Sequence, residues 1–220
     1  MNTAPTPVVI LISGRGSNLH AIIEATRAGQ LPIAIRAVIS NNPAAPGLAI
    51  ARAAGLSTQI LDHRSYTERA AFDRALMEAI DRHAPRLVVL AGFLRILGKA
   101  FIDHYAGRLI NIHPSLLPAF RGLNTHARAI EAGARQHGAS VHFVSNDVDG
   151  GPIVIQAEVP VLPGDDAPTL AARVLNEEHR ILPLAIRWFV EGRLSLRDGR
   201  VLLDGRAQPQ QGLVAAPASN

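Results

Sequence analysis

The chain of 220 residues contains no cysteine. This excludes a disulfide framework and thiolate chemistry, and it is compatible with a reducing compartment. Lysine is nearly missing as well: Lys99 stands alone, so the formal charge of +4 rests almost wholly on arginine. Aromatic residues make up only 4% and the arginines are scattered, so the basic patch with interleaved stacking rings that marks nucleic-acid binding is not there. Guanidinium groups suit small anionic molecules better. Long apolar runs are also lacking. Val8–Ile12, the longest near the start, is too short to span a membrane, and no basic segment precedes it as in a secretory leader. The expectation is a cytoplasmic protein without membrane or nucleic-acid partners. Its length and its 48% hydrophobic content suffice for one sizeable core.

Apolar runs alternate with helical periodicity. Val8–Ser13, Ala34–Ser40, Thr58–Leu61 and Leu87–Leu90 read as strands; Asn18–Ala28, Leu48–Ala54 and Ser65–His83 read as helices. In the last of these Ser65 and Glu68 have capping-box spacing, and Phe72, Leu76 and Ile80 share one face. The pattern implies an α/β fold with a mostly parallel sheet. Further on, Gly98–Tyr105, Thr125–Ala134 and Thr169–Val190 read as helices, the last containing Pro183. Leu109–His113, Ser140–Val144 and Ile153–Val159 read as strands, and "RDG" joins a hairpin of 193–196 and 200–203. One domain, 1–220, is expected: a first half over about 8–100, a second half over about 101–205, and a frayed tail from 207 to 220.

Four features carry possible chemistry. "SGRGSN" follows the first strand and opens the first helix, where α/β sheets place ligands. Gly14-x-Gly16 lacks the third glycine of a dinucleotide fingerprint, and no Gly-Lys-Ser/Thr follows as in a P-loop. What remains suits one monophosphate at a helix N-terminus, or else Ser17 or Asn18 simply caps the helix. In "LINIHPSLLP" Asn111 and His113 are two apart on a strand and face the same way, an amide donor beside an imidazole. A core histidine bonded to backbone fits that spacing as well. In "DVDGG", Asp149 either orients an imidazole or belongs to an ordinary Asp-Gly turn. On the last long helix Glu178 interrupts the stripe of Leu170, Val174, Leu182, Ala185 and Phe189, so it pairs with an arginine or binds a polar ligand. His126, His137 and His142 lack the spacing of a helical zinc site, and no metal is expected.

Taken together, "VVILISGRGSNL", "VVLAGFLRIL", "NIHPSLLPAFRGLNTHARA", "HGASVHFV" and "DVDGGPIVIQ" resemble the phosphoribosylglycinamide formyltransferase family of de novo purine synthesis, in order from about Val8 to Trp188. The resemblance implies the formyltransferase fold, an open, mostly parallel twisted sheet with helices on both faces, a Rossmann-like, mononucleotide-binding half over about 8–100 and a catalytic and folate-binding half over about 101–205, with 10-formyltetrahydrofolate as co-substrate. It implies Asn111, His113 and Asp149 as the catalytic trio. Gly16, Ser17 and Asn18 would bind the phosphate of glycinamide ribonucleotide, and Glu178 its ribose. Arg69, Leu94, Arg95, Ile96, Leu97 and Asn111 would contact the folate, its pterin against the backbone of 94–97 and the 145–149 loop, with Arg69 near its carboxylate end. Two positions depart from the pattern: Arg15 stands where relatives often carry asparagine, and Asn124 where many carry histidine.

With no cysteine, and no serine clearly set beside a base, direct transfer is the simplest implied route. The glycinamide amine attacks the formyl carbon, His113 and Asn111 stabilise the oxyanion, and Asp149 tunes His113. The resemblance also implies small-molecule partners and a monomer or weak homodimer. Two alternatives remain at this point. One is a formyltetrahydrofolate deformylase, for which an N-terminal regulatory domain and "HHS" at 113–115 are expected. The other is a non-catalytic phosphate-binding module. A methionyl-tRNA formyltransferase would be expected to carry a further C-terminal domain.

Overall fold

The computed structural model describes residues 4–207 and 213–215. The chain divides into two compact units, 1–111 and 112–220.

In the first unit, β1 (Thr6–Ile12) lies between β2 (Ile33–Ser40) and β4 (Leu87–Leu90), and all pairings are parallel. β3 (Thr58–Ile60) extends the sheet beyond β2, and β5 (Leu109–His113) pairs with β4. Val8 to Ile12 are fully buried, which explains the uninterrupted apolar run: a central parallel strand has no solvent face. The β1–β2 register skips Arg36, which stays exposed. Strand order reverses between β1 and β4. The loops leaving their carboxyl ends, after Ile12 and after Leu90, therefore flank a topological switch point, the usual ligand position in such sheets.

The helices of this unit are α1 (Ser17–Arg27), α2 (Gly47–Ala53), α3 (Arg69–Asp81) and α4 (Lys99–His104). Phe72, Leu76 and Ile80 are buried as their spacing predicts. The expected capping box does not form. Asp62 accepts from the Arg64 N–H and caps a short 3-10 turn over 63–65, and α3 begins only at Arg69 with Glu68 in extended conformation. The upstream aspartate takes the chain into a separate turn, which leaves Ser65 too early to cap α3.

In the second unit, β6 (Gln136–Phe143) and β7 (Ile153–Pro160) run antiparallel and pack against α6 (Ala167–Val190). α5 (Thr125–Glu131) precedes them. β6 starts earlier than Ser140 because Gly138 permits it: a Cβ there would lie 2.0 Å from the Ala157 carbonyl oxygen. α6 likewise starts ahead of Thr169, since the Asp166 side chain caps it by accepting from the Thr169 N–H at 2.8 Å. It continues through Pro183 to Val190. The hairpin β8 (Leu194–Arg197) and β9 (Arg200–Leu203) turns through Asp198 and Gly199, both left-handed, as a two-residue hairpin requires. β10 (Arg206–Ala207) pairs with β9, and β11 (Leu213–Ala215) pairs in parallel with β7. The rest of the expected tail, 208–212 and 216–220, lies outside the described residues.

Candidate active site

The loop after β1 is built from backbone. Gly16 is left-handed at φ 78° and stands at the N-cap of α1, and no side chain caps that helix. Ser17 and Asn18 therefore do not act as the cap that their residue types suggest. A side chain at Gly16 would place its Cβ 2.6 Å from the Gly47 Cα, and one at Gly47 would meet Ile12 Cδ1 at 2.7 Å. The Gly47 N–H also donates to the Gly14 carbonyl at 3.1 Å. Two glycines thus pack back to back, and the start of α2 braces the loop. Gly47 escaped the sequence reading because its partner lies a strand away. Asn18 is buried, Ser17 half-buried and Arg15 exposed.

The loop after β4, residues 91–98, alternates. Phe93 and Leu97 are buried, whereas Leu94 is 70% and Ile96 61% exposed. Arg95 is half-buried, and Arg69, the first residue of α3, is exposed. Two side chains hold this loop. The Ser13 hydroxyl accepts from the Leu94 N–H at 2.7 Å and donates to Asn41 Oδ1 at 2.5 Å. Asp73 Oδ2 accepts from the Gly98 N–H at 2.8 Å. Asp73 is buried, and burial pushes its carboxyl above the usual carboxylate range against the opposing Gly98 bond and the charges of Arg69 and Arg95.

β5 carries Asn111 half-buried and His113 buried, the latter just ahead of Pro114. His113 Nδ1 lies 3.3 Å from Asp149 Oδ2, and His113 Nε2 lies 3.1 Å from the Phe120 carbonyl oxygen. Both ring nitrogens therefore face acceptors, an arrangement that an imidazolium fills with its two N–H donors. Asp149 is itself fixed: its Oδ2 accepts from the Gly122 N–H at 2.9 Å, and its backbone is left-handed at φ 48°.

The glycines of "DVDGG" explain how Asp149 is presented. A Cβ on Gly151 would lie 1.8 Å from the Phe143 carbonyl oxygen, so only glycine lets the β6–β7 connection close, with the Phe143 N–H donating to the Pro152 carbonyl.

The turn that carries Phe120 rests on a buried polar network. Ser140 Oγ donates to the Ser115 carbonyl at 2.6 Å and accepts from the Leu117 N–H and from Gln156 Nε2. Gln156 Nε2 also donates to the Leu117 carbonyl at 2.9 Å. Neither Ser140 nor Gln156 stood out in the sequence, where both read as ordinary strand residues.

Three further histidines, His126, His137 and His142, lie near this centre. His142 donates from Nδ1 to the Phe143 carbonyl, and its Nε2 is 3.7 Å from Asp149 Oδ1. Burial lowers its pKa against the pull of that carbonyl and of Asp149. His126 Nδ1 and His137 Nε2 are 3.2 Å apart. Burial, followed by the neighbouring His126 and His113, lowers His137 to about 4. No group of three or more His, Asp or Glu among the described residues is placed to hold a metal ion. Glu178 is buried on α6 with Leu170, Val174, Leu182 and Ala185, the polar break in an apolar stripe that the sequence indicated. No described helix is long and apolar enough to cross a membrane.

Comparison with known proteins shows the family of the chain. Residues 6–186 match the model of the formyl transferase family. The chain is 51% identical over 208 residues to the phosphoribosylglycinamide formyltransferase of Escherichia coli K12, covering 94% of this chain and 98% of that protein. Its structure is similar to that of the phosphoribosylglycinamide formyltransferase of Coxiella burnetii at a TM-score of 0.92 and 50% identity, covering 96% and 99% of the two chains. A formyltetrahydrofolate deformylase from Pseudomonas putida is more distant, with a TM-score of 0.80 and 28% identity over 90% of this chain and 70% of that one.

Proposed function

The chain belongs to the formyl transferase family, and from that premise we propose that it transfers the formyl group of 10-formyltetrahydrofolate to the amine of 5′-phosphoribosylglycinamide in purine biosynthesis. The observation that carries the reading is the His113–Asp149 pair at 3.3 Å, with both imidazole nitrogens facing acceptors at the carboxyl end of a sheet strand.

In this reading the glycinamide nitrogen attacks the formyl carbon, and the carbonyl electrons move onto oxygen. The N–H donor now directed at the Phe120 carbonyl passes to that oxyanion, with the Asn111 amide beside it on the same strand face. Collapse of the tetrahedral intermediate expels N10 of the folate. The proton lost by the attacking amine reaches N10, with Asp149 assisting through water. No covalent enzyme intermediate is required.

The ribonucleotide phosphate is held by Gly16, Ser17 and Asn18, where a left-handed glycine opens α1 without a side-chain cap. Glu178 holds the ribose. Leu94, Arg95, Ile96 and Leu97, with Asn111, contact the folate, and Arg69 lies toward its carboxylate end. The chain acts as a single formyltransferase domain, a cytoplasmic enzyme on small molecules, as a monomer or weak homodimer.

The test is tetrahydrofolate production from 10-formyltetrahydrofolate with and without the ribonucleotide. Turnover only with the ribonucleotide is the expected result. Turnover without it means hydrolysis to formate, and no turnover in either arm leaves a binding module.

A further inference from the structure

The loop at 91–98 presents an unusual surface. Leu94 and Ile96, 70% and 61% exposed, are large aliphatic side chains set in solvent on a segment without helix or strand. Such a segment binds a flat, partly apolar ligand well only if its backbone is already fixed, because ordering it on binding costs affinity. The structure shows what fixes it. Near its start the Ser13 hydroxyl receives the Leu94 N–H, and the Ser13 N–H donates to the Gly92 carbonyl at 3.0 Å. At its end Asp73, 4% exposed on α3, receives the Gly98 N–H. The fit at that end is close, since a Cβ on Gly98 would lie 2.8 Å from Asp73 Oδ2.

Asp73 does not spend its carboxylate on an ion pair that would explain its burial. Its Oδ1 is buried without a hydrogen-bond partner among the described residues, while its Oδ2 accepts from the Gly98 N–H at 2.8 Å. A buried carboxyl kept in this state is costly for stability alone.

We infer that Asp73 and Ser13 are positioning residues for the formyl-folate co-substrate, acting through the Gly98 and Leu94 amides on the backbone of 94–97. Neither touches the reacting atoms. Ser13 has a second role by connectivity: it precedes the glycine loop directly, so the strand end that leads to the proposed phosphate site also holds the proposed folate loop. The inference rests on the proposed formyl transfer, and the experiment separates the two.

Steady-state constants are measured for wild type, Asp73→Ala, Asp73→Asn, Gly98→Ala and Ser13→Ala. Asp73→Ala raises the KM for 10-formyltetrahydrofolate by about tenfold, the loss of one buried hydrogen bond. The KM for the ribonucleotide and kcat stay within about threefold. Asp73→Asn, which keeps an oxygen acceptor for the Gly98 N–H, restores most of the loss. Ser13→Ala raises the folate KM as well. Should Asp73→Ala fail to fold, Gly98→Ala carries the test, because its Cβ pushes the same bond apart. An unchanged folate KM in Asp73→Ala or Gly98→Ala overturns the inference. So does a rise of both KM values together, or an Asp73→Asn variant as impaired as Asp73→Ala. Wild type inactive with the ribonucleotide would instead overturn the formyl-transfer reading. Calorimetric titration of wild type and Asp73→Ala with tetrahydrofolate then still decides the clamp: weaker binding by the variant supports it, and equal affinity, or no binding to either, overturns it.

Discussion

The loop after β1 and the centre around His113 are built on opposite plans. The first is shaped by glycine and main chain. Gly16 and Gly47 press together, the Gly14 carbonyl receives the Gly47 amide, and Arg15, its one ionisable side chain, points to solvent. The second is shaped by side chains. His113 and Asp149 face each other, His142 lies behind them, and the turn that meets them rests on Ser140 and Gln156. The difference teaches how the two tasks divide. A phosphate keeps its charge while it is held, so fixed amides suffice. A proton must move during formyl transfer, so the second centre, as the proposed seat of that chemistry, needs groups that exchange protons, and these need a buried frame to keep them in place.

If that division is right, damage to the two regions separates in kinetics. The largest effect belongs to the side-chain centre. His113→Ala removes the proposed oxyanion donor, and kcat is expected to fall by ~10²–10³ or more while the KM for the ribonucleotide stays within a few fold. Asp149→Asn, which keeps the shape and loses the charge, also cuts kcat severely. Steady-state assays of both variants check this, and near-normal turnover in either one removes the trio from the mechanism.

Next comes pH. His137 is fully buried with a pKa of about 4, below its unfolded value, so the folded state favours the neutral ring. Its unfolded form binds a proton more readily, and stability is therefore lost as pH falls from about 6.5 toward 4, by an amount on the order of 3 kcal/mol for this one group. Urea midpoints at pH 7 and pH 5 for wild type and His137→Gln measure it. The variant should lose less on acidification than wild type, and equal losses would exclude His137 as the source. The β1 loop has no such group, so the ribonucleotide KM is expected to follow only the ionisation of the phosphate itself over the same range.

How far these regions were legible in the sequence follows the same division. The β1 loop could be read because glycine spacing after an apolar strand is a local signal, and Asn111 and His113 could be paired because strand side chains alternate. That Asp149 meets His113 could not be read from spacing, and only the family resemblance implied it. The pair is made by a β6–β7 connection that closes only because Gly151 fits against the Phe143 carbonyl, a contact between backbones with no periodicity. Ser140, Gln156 and Asp73 were silent for a related reason. Each is a polar residue on a regular element, and only its tertiary partner distinguishes it from a solvent-facing neighbour. The capping-box pattern at Ser65 and Glu68 failed in the opposite way: the local signal was present, and Asp62 diverted the chain into a different turn first.

A smaller effect tests the main-chain region. Gly16→Ala must hold a side chain at φ 78° and place its Cβ 2.6 Å from the Gly47 Cα, so loop and α2 have to part. Overpacking of this kind costs roughly 1–3 kcal/mol. The loss should appear as a raised ribonucleotide KM, with the pH profile of kcat unchanged. A shifted profile would show that the two regions are coupled in chemistry.

The smallest expected effect lies beneath the turn that carries Phe120. Ser140→Ala strips the Leu117 N–H and one Gln156 donor of their shared acceptor, and it leaves the Ser115 carbonyl without its donor. Gln156 retains its bond to the Leu117 carbonyl, so the network loosens and does not collapse. The expected cost is about 1–3 kcal/mol of stability, read from urea unfolding. Because the Ser115–Phe120 turn carries the carbonyl that faces His113 Nε2, kcat should fall modestly as well, with both KM values nearly unchanged. If stability drops and kcat does not, the network supports the fold alone and His113 is held by Asp149 without help from the turn. A kcat loss matching that of His113→Ala would mean the reverse, that the ring's position depends on the buried frame as much as on its carboxylate partner.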